Sequence, residues 1–264
     1  MKRPLQLLLF ALLLVCAASC KSAGRAFGPK DEGGIYLVIA VKADAAQLDQ
    51  AIAQTVEVMQ RRCEYLNIYC KVERGVGDKA DRIKLKISTR DDPERVKRVI
   101  LSQGLELRAV VSPQSPTPVQ TYDTQAEAAE AAGADKDVMP YVEDSGARTF
   151  IVLERTPVVE GRDVLKAEAV DLTGEGKYYG INFTLRPEGA VKLSEWSGAH
   201  INSYLAVVLD KEVRYAAYIK SQISDTGQIS GSFTKERAED TALVLNSGGL
   251  PAPIEALEEG VYKP

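Results

Sequence analysis

The chain has 264 residues, enough for two small domains or one large one, and its 45% hydrophobic and 27% charged content is ordinary for a globular protein. A net charge of −4 and a pI near 5.3 argue against a nucleic-acid-binding protein, because there is no surplus of cations to neutralise phosphates. The single histidine, His200, disfavours histidine-based catalysis and zinc binding, and we expect it to cap a helix or to be solvated.

The N-terminus has the pattern of a bacterial export signal. A short cationic start precedes an apolar run from Leu5 to Val15, which is too short to span a bilayer comfortably. The small residues of "AASC" before Cys20 resemble the lipobox of bacterial lipoproteins, which implies cleavage after residues 1–19 and lipid attached to Cys20. A plain secretory signal is the alternative. Residues 20–34 are expected to form the lipidated N-terminus and a flexible tether to the membrane.

Residues 35–111 predict a ferredoxin-like base subdomain. "IYLVIAVK" is a strand, and an amphipathic helix follows from Ala45 to Leu66 with Asp44 as its N-cap. "IYCKVER" and "RIKLKIST" are strands, and "DDPERVKRVILSQG" is a second helix capped by Asp92. "LELRAVV" is expected to close the unit as its fourth strand. The resulting order, βαββαβ, is that of a split βαβ fold.

Two cysteines of the base subdomain are candidates for a disulfide. Apolar residues at three- and four-residue steps place Cys63 on the buried stripe of the first helix. Alternation in the next strand places Cys70 on its buried face. A helix and a strand that face each other in this way predict a bridge in an oxidising compartment, and two buried free thiols are the alternative.

Residues 112–149 have a different composition and predict a solvent-exposed connector. "SPQSPTPVQTY" is spaced by prolines and therefore extended, and "TQAEAAEAAG" is a short alanine-rich helix. "ADKDVMPYVEDSGAR" is expected to be an irregular loop.

Residues 150–253 predict an α+β head subdomain, and residues 254–264 a return strand or tail. "YGINFTL" is a strand, and a helix from Pro187 to His200 starts with proline in its first turn. Two further strands flank a hairpin turn at Asp210 and Lys211. "GQISGSF" then leads into a last helix with Thr234 as its N-cap, which ends in the glycine- and proline-rich segment "LVLNSGGLPAP".

The sequence carries no motif of a known catalytic chemistry. It has no G-x-S-x-G, H-E-x-x-H, P-loop or Cys-x-x-Cys, and no paired nucleophile and base. The acidic turns "GDKAD" and "DLTGEG" lack the alternating carboxylates of an EF-hand. We therefore expect no enzyme, no catalytic residue, no metal site and no cofactor.

Several ordered segments resemble the periplasmic part of the SecD family, the accessory subunit of the bacterial Sec protein-export machinery. They are "EGRDVLKAEA", "INFTLRPEGAVKL", "YLAVVLDKEV" and "GQISGSFTKERAEDTALVLNSGGLPAPIEALEE", with "GGIYLVIAV", "TVEVMQRRCEYLNI" and "DDPERVKRVI" in the first half. The resemblance covers residues 33–259 and implies an α+β fold with a ferredoxin-like base and an α+β head.

The chain also departs from the SecD pattern. A lipobox stands where SecD has its first membrane helix, and the chain ends where the SecD membrane bundle would begin. Asn246 and Gly249 occupy positions at which SecD usually has arginine and alanine. The resemblance therefore implies the soluble domain without the proton-driven motor.

These features together predict a lipid-anchored, SecD-like periplasmic domain that binds extended or unfolded polypeptide and works beside Sec translocon components or another envelope assembly. The candidate contact residues are Gly227 and Gly231, which allow close backbone approach, and Ile229 and Phe233, which offer apolar surface. The same four residues also fit ordinary turn glycines and core positions. A structural envelope lipoprotein that reuses the fold as a scaffold is the alternative function.

Overall fold

The computed structural model describes residues 29–89, 92–114, 117–142 and 147–264. The predicted signal peptide, Cys20 and residues 21–28 of the tether lie outside these ranges. The described helices are α1 (Leu48–Tyr65), α2 (Pro93–Leu101), α3 (Gln125–Ala132), α4 (Pro187–Ala199) and α5 (Lys235–Ser247). The described strands are β1 (Gly34–Val41), β2 (Cys70–Arg74), β3 (Arg82–Ser88), β4 (Leu105–Ala109), β5 (Lys136–Val142), β6 (Arg148–Glu154), β7 (Val159–Glu160), β8 (Val164–Asp171), β9 (Tyr179–Leu185), β10 (Tyr204–Leu209), β11 (Glu212–Tyr218), β12 (Thr226–Phe233) and β13 (Ile254–Tyr262).

The base is a four-stranded sheet in the order β13-β1-β3-β2, and its core lies between this sheet and the helices α1 and α2. Alternate residues of β1 and β3 enter this core, as the period of two in their sequences predicts. Met59 of α1 and Ile100 of α2 are fully buried against them. The structure is thus α+β with a ferredoxin-like base, as expected.

The expectation that "LELRAVV" closes the base is wrong. Its strand, β4, pairs with β10 and β7 in the head, and β13 takes the fourth place of the base sheet beside β1. Leu105 and Leu107 belong to the head core instead. At the base edge, Lys97 pairs with Glu259 at 2.7 Å, which helps to hold β13 there. The head is therefore an insertion between α2 and the last strand of the base.

The head contains a six-stranded sheet, β6-β5-β11-β10-β4-β7, and a three-stranded sheet, β12-β9-β8. Its main core combines residues of both sheets with α4 and α5. Asp210 and Lys211 have φ values of 54° and 63°, as a two-residue hairpin turn of the favoured hand requires. α5 contacts β8 on one side and the base helices α1 and α2 on the other. It therefore connects the two subdomains.

The first half of the segment "ADKDVMPYVEDSGAR" is not an irregular loop. Its residues 136–142 form β5, which pairs with β6 along its whole length and runs parallel to β11 at Tyr141. Pro140 and the flanking charged residues obscured the alternating pattern of this strand in the sequence. Its pairing partner, β6, follows it closely in the chain. The capped helix α3 packs against this pair and buries Ala128 completely. Residues 117–142 are thus part of the head rather than an exposed connector.

Two of the three predicted N-caps, Asp92 and Thr234, are confirmed. The carboxylate of Asp92 accepts a hydrogen bond from Arg95 N–H, and the hydroxyl of Thr234 accepts one from Arg237 N–H, as N-caps do. Asp44 does not cap α1. Its carbonyl accepts the N–H of Gln47 in a turn, and the helix begins only at Leu48.

Cys63 and Cys70 are joined in the structure. Their Sγ atoms lie 2.05 Å apart and their Cα atoms 6.2 Å apart. The bridge connects the last turn of α1 to the first residue of β2.

Candidate functional site

The strand β12, which contains the segment "GQISGSF", is an edge of the three-stranded head sheet. Among the described strands it pairs only with β9, in antiparallel register from Thr226 opposite Thr184 to Ile229 opposite Ile181. The register shifts between Ile229 and Phe233, so regular pairing ends there. No described strand pairs with the other edge of β12, and an unpaired edge of this kind can accept a partner strand.

The hydrogen-bond pattern decides which residues of β12 face that open edge. Leu185 N–H donates to Asp225 C=O at 2.7 Å, just before the strand. Because bonded and non-bonded pairs alternate in an antiparallel ladder, Gly227 and Ile229 direct their backbone groups toward β9. Thr226 and Gln228 direct theirs away from β9, and both residues are exposed.

The four predicted contact residues lie on this strand, but their roles differ from the prediction. The expectation that Ile229 offers apolar surface is wrong, because it is fully buried in the head core. A Cβ atom on Gly227 would lie 2.5 Å from the Phe183 ring, so this glycine makes room for a core side chain. Phe233 is half-buried against the same core, and Gly231 lies in the irregular part of β12.

The sequence therefore identified the strand but not the residues that face outward. Thr226 and Gln228 were missed because neither side chain has distinctive chemistry. Which residues of β12 bond to the neighbouring strand and which direct their backbone groups outward could not be deduced without knowing the partner strand. Once β9 is known to pair with β12, the alternation follows directly.

A second feature is a cleft of about 640 Å³ between the base and the head. Its floor contains residues 246–253 of the segment "LVLNSGGLPAP". The backbones of Gly161 and Gly249 meet there, since a Cβ on Gly161 would lie 2.9 Å from Gly249 N. Seven charged side chains line the cleft, namely Glu57, Arg61, Glu106, Glu160, Arg162, Arg186 and Lys211.

The environment of the Glu106 carboxyl in this cleft disfavours its ionised form. Burial raises the pKa of Glu106 above its ordinary value of 4.5, although the nearby Arg108 guanidinium opposes the shift. Glu160 lies directly opposite Glu106 in the β4–β7 pair and raises the pKa further, as does Asp137. The folded protein therefore holds this proton at pH values where the unfolded chain has lost it.

We expect Glu106→Gln to stabilise the fold at pH 7 by a small amount, under about 1 kcal/mol because the group is partly solvated. The gain in stability should vanish below pH 4.5, because the wild-type carboxyl is then protonated in both the folded and the unfolded protein. Urea unfolding at pH 4 and pH 7 measures this difference. Glu130→Gln, on the exposed face of α3, is the control. A loss of stability at pH 7 would contradict the assignment.

Buried polar contacts also join the base to the head. Arg62 of α1 is fully buried and donates to Ser247 Oγ, Ile100 O, Ser102 O and Gly248 O at 2.7–3.0 Å. Its pKa is lowered to about 10 because burial desolvates the guanidinium. It is thus still a cation at neutral pH.

A second junction lies between α2 and α5. Asp240 is almost fully buried and accepts hydrogen bonds from Arg95 Nε and Nη2 at 2.8–3.1 Å and from Arg98 Nη2 at 3.4 Å. The hydrogen bonds with Asp240 raise the pKa of Arg95.

The histidine and the acidic turn considered as candidates for catalysis or metal binding make contacts within the fold. His200 follows α4, stacks on Trp196 at 4.5 Å between ring centroids, and its Nδ1 lies 2.7 Å from the Trp196 carbonyl oxygen. Asp171, in "DLTGEG", accepts hydrogen bonds from the backbone N–H groups of Thr173, Gly174 and Gly176, which lower its pKa. Within the described ranges, no three His, Cys, Asp or Glu side chains gather as a metal site requires. No helix in these ranges has the length and apolarity to cross a bilayer.

The fold defines the class of the protein, a two-part α+β domain with a ferredoxin-like base and a head inserted into it. Residues 136–252 match the family described as SecDF, P1 head subdomain. A crystal structure of SecDF in a super-membrane-facing form superposes with a TM-score of 0.62 at 23% identity, over 91% of this chain and 32% of that one. A second structure, described as a membrane component SecDF that enhances protein export, superposes with a TM-score of 0.60 at 24% identity. The match covers 84% of this chain and 98% of that one. At this level of identity these two structures support the fold.

The sequence relatives are more specific. The protein translocase subunit SecD of Koribacter versatilis (strain Ellin345) is 35% identical over 247 residues, which is 90% of this chain and 44% of that protein. SecD of Aquifex aeolicus (strain VF5) is 32% identical over 238 residues, again 44% of its length. The chain spans less than half of these relatives. The resemblance to the SecD family is confirmed, and residues 136–252 match the SecDF P1 head family.

Proposed function

We propose that this chain assists protein export on the periplasmic side of the bacterial cell envelope by holding extended or unfolded polypeptide on the β12 edge. Two relatives whose matches extend over about 90% of this chain are protein translocase subunits. They support the assignment to protein translocation. The open edge of β12 is the observation that supports polypeptide binding.

The proposed contact uses the main chain. An extended segment adds beside β12 and bonds to the outward N–H and C=O groups of Thr226 and Gln228. Every unfolded polypeptide carries these groups, so binding of this kind does not depend on the client sequence. The shift in register after Ile229 limits the contact to a few residues. Such a short contact suits a polypeptide that must be released again.

In the same proposal, Cys20 carries the lipid that keeps the domain at the membrane, close to Sec translocon components. Residues 29–33 lead into β1 beside the end of β13, where a Cβ on Gly33 would lie 2.9 Å from Pro264 Cδ. A tether from Cys20 therefore joins the base rather than the head.

Gln228→Pro tests this contact. Proline removes the outward N–H and places a ring on the open edge, but the bonds between β12 and β9 are made by Gly227 and Ile229 and remain. We expect the affinity for a reduced, alkylated secretory protein to fall at least about tenfold, the equivalent of one or two lost hydrogen bonds. Fluorescence anisotropy with the labelled client measures the change.

Gln228→Ala is the matched control. It keeps the backbone N–H and removes the same side-chain bond to Asn182 Oδ1, so its affinity should stay within about twofold of wild type. Equal thermal midpoints for the two variants would show that the fold is retained. Wild-type affinity in Gln228→Pro would overturn the proposed contact.

A further inference from the structure

The side-chain amide of Asn246, in the last turn of α5, bonds to both backbone groups of one residue. Asn246 Oδ1 accepts the N–H of Ala167 at 2.8 Å, and Asn246 Nδ2 donates to the C=O of Ala167 at 2.9 Å. A neighbouring strand makes the same pair of bonds to a residue at a sheet edge. The amide therefore occupies the place of a missing peptide unit.

Ala167 lies near the middle of β8, the edge strand opposite β12 in the three-stranded sheet. Leu172 N–H donates to Tyr178 C=O at 2.9 Å, which sets the parity of the β8–β9 ladder. By alternation, Glu168 directs its backbone groups toward β9 and Ala167 directs its groups away. The bonds of Asn246 thus close outward groups that a partner strand would need.

The amide is held in position by the helix that carries it. The next residue, Ser247, accepts hydrogen bonds from Arg61 through its carbonyl oxygen and from Arg62 through Oγ. α5 also packs along β8. On the opposite edge, no side chain of a described residue bonds to the outward backbone groups of Thr226 and Gln228. The two edges of the sheet are therefore unequal.

We propose that Asn246 closes the β8 edge of the head sheet by imitating a strand, so that β12 is the edge left open to a partner. The choice of edge for a client rests on the proposed function, whereas the closure itself is a property of the free protein. Because arginine has no acceptor, it could not replace both bonds. Asn246 is thus a positioning residue of this chain.

Amide hydrogen exchange in the full protein tests the closure. In Asn246→Leu, the Ala167 N–H should exchange about fivefold faster, which corresponds to one hydrogen bond of about 1 kcal/mol. In Asn246→Asp, the carboxylate still accepts this N–H, so the rate should stay near that of wild type. The Glu168 N–H, bonded within the ladder, is the internal control and should not change. Equal Ala167 rates in wild type and Asn246→Leu would overturn the closure.

Site-specific photo-crosslinking tests the choice of edge. A photoreactive side chain at Thr226 should capture an unfolded client in wild type, and one at the exposed Leu165 of β8 should not. In Asn246→Leu, capture from position 165 should appear. Equal capture from both positions in wild type would overturn the selective role. Absence of capture at position 226 in every variant, with the exchange result intact, would reject the proposed function and leave the closure standing.

Discussion

Arg62→Ala is expected to lower the free energy of unfolding by about 4 kcal/mol. The substitution leaves four acceptors without their donor, three of them backbone carbonyls, at the junction of α1, α2 and the end of α5. An unpaired buried acceptor costs about 1 kcal/mol or more. Loss of the buried side chain adds a cavity cost. Urea denaturation followed by circular dichroism measures the change.

The adjacent Arg61→Ala is the matched control. Arg61 donates two hydrogen bonds to the Ser247 carbonyl oxygen, but it is exposed, so its loss should cost under about 1 kcal/mol. Arg62→Lys should fall between wild type and Arg62→Ala, because an ammonium has three donors where four bonds are made. Equal destabilisation by Arg61→Ala and Arg62→Ala would show that burial of Arg62 is not what makes it important.

Asp240→Ala is expected to cost about 3 kcal/mol. Its carboxylate is almost fully buried between α2 and α5 and binds Arg95 through both oxygens. Removing the buried carboxylate leaves Arg95, whose side chain is 33% exposed, with only the exposed Glu236 as its ion-pair partner, and it also leaves a gap between the two helices. Arg98 would also lose its weaker bond at 3.4 Å. The loss should persist in 0.5 M salt, since buried pairs are little screened.

Glu236→Gln provides the comparison for Asp240. Glu236 pairs with the same guanidinium, Arg95, at 3.2 Å, but its side chain is 56% exposed. Its replacement should cost under about 1 kcal/mol, and salt should remove most of that effect. A large, salt-sensitive loss for Asp240→Ala would contradict the assignment of a buried pair.

Local signals in the sequence predicted local structure well. The caps Asp92 and Thr234, the hairpin turn at Asp210 and the strand "YGINFTL" are all present where the pattern placed them. Each depends on interactions among residues close in the chain. The strand β5 was missed because Pro140 and its charged neighbours mask a pattern that only pairing with β6 reveals.

The candidate site was predicted less completely than the fold. The segment "GQISGSF" does lie at a sheet edge, but Ile229 faces the core, and the outward positions belong to Thr226 and Gln228. Arg62 is one of several arginines in helical patterns, and no local feature marks it as buried. Asn246 differed from the SecD pattern, but its bond to Ala167 joins residues 79 positions apart.

By itself, the sequence determined the resemblance to SecD, the α+β class, the capped helices and the glycine- and proline-rich exit after α5. These follow from periodicity, caps and turn residues, which act over a few positions of the chain. Only the tertiary structure decided that β13 rather than β4 completes the base, that Arg62 and Asp240 join base and head, and that β12 has the open edge. Strand partners and buried polar contacts bring together distant residues, and several arrangements satisfy the same local pattern until the core is packed.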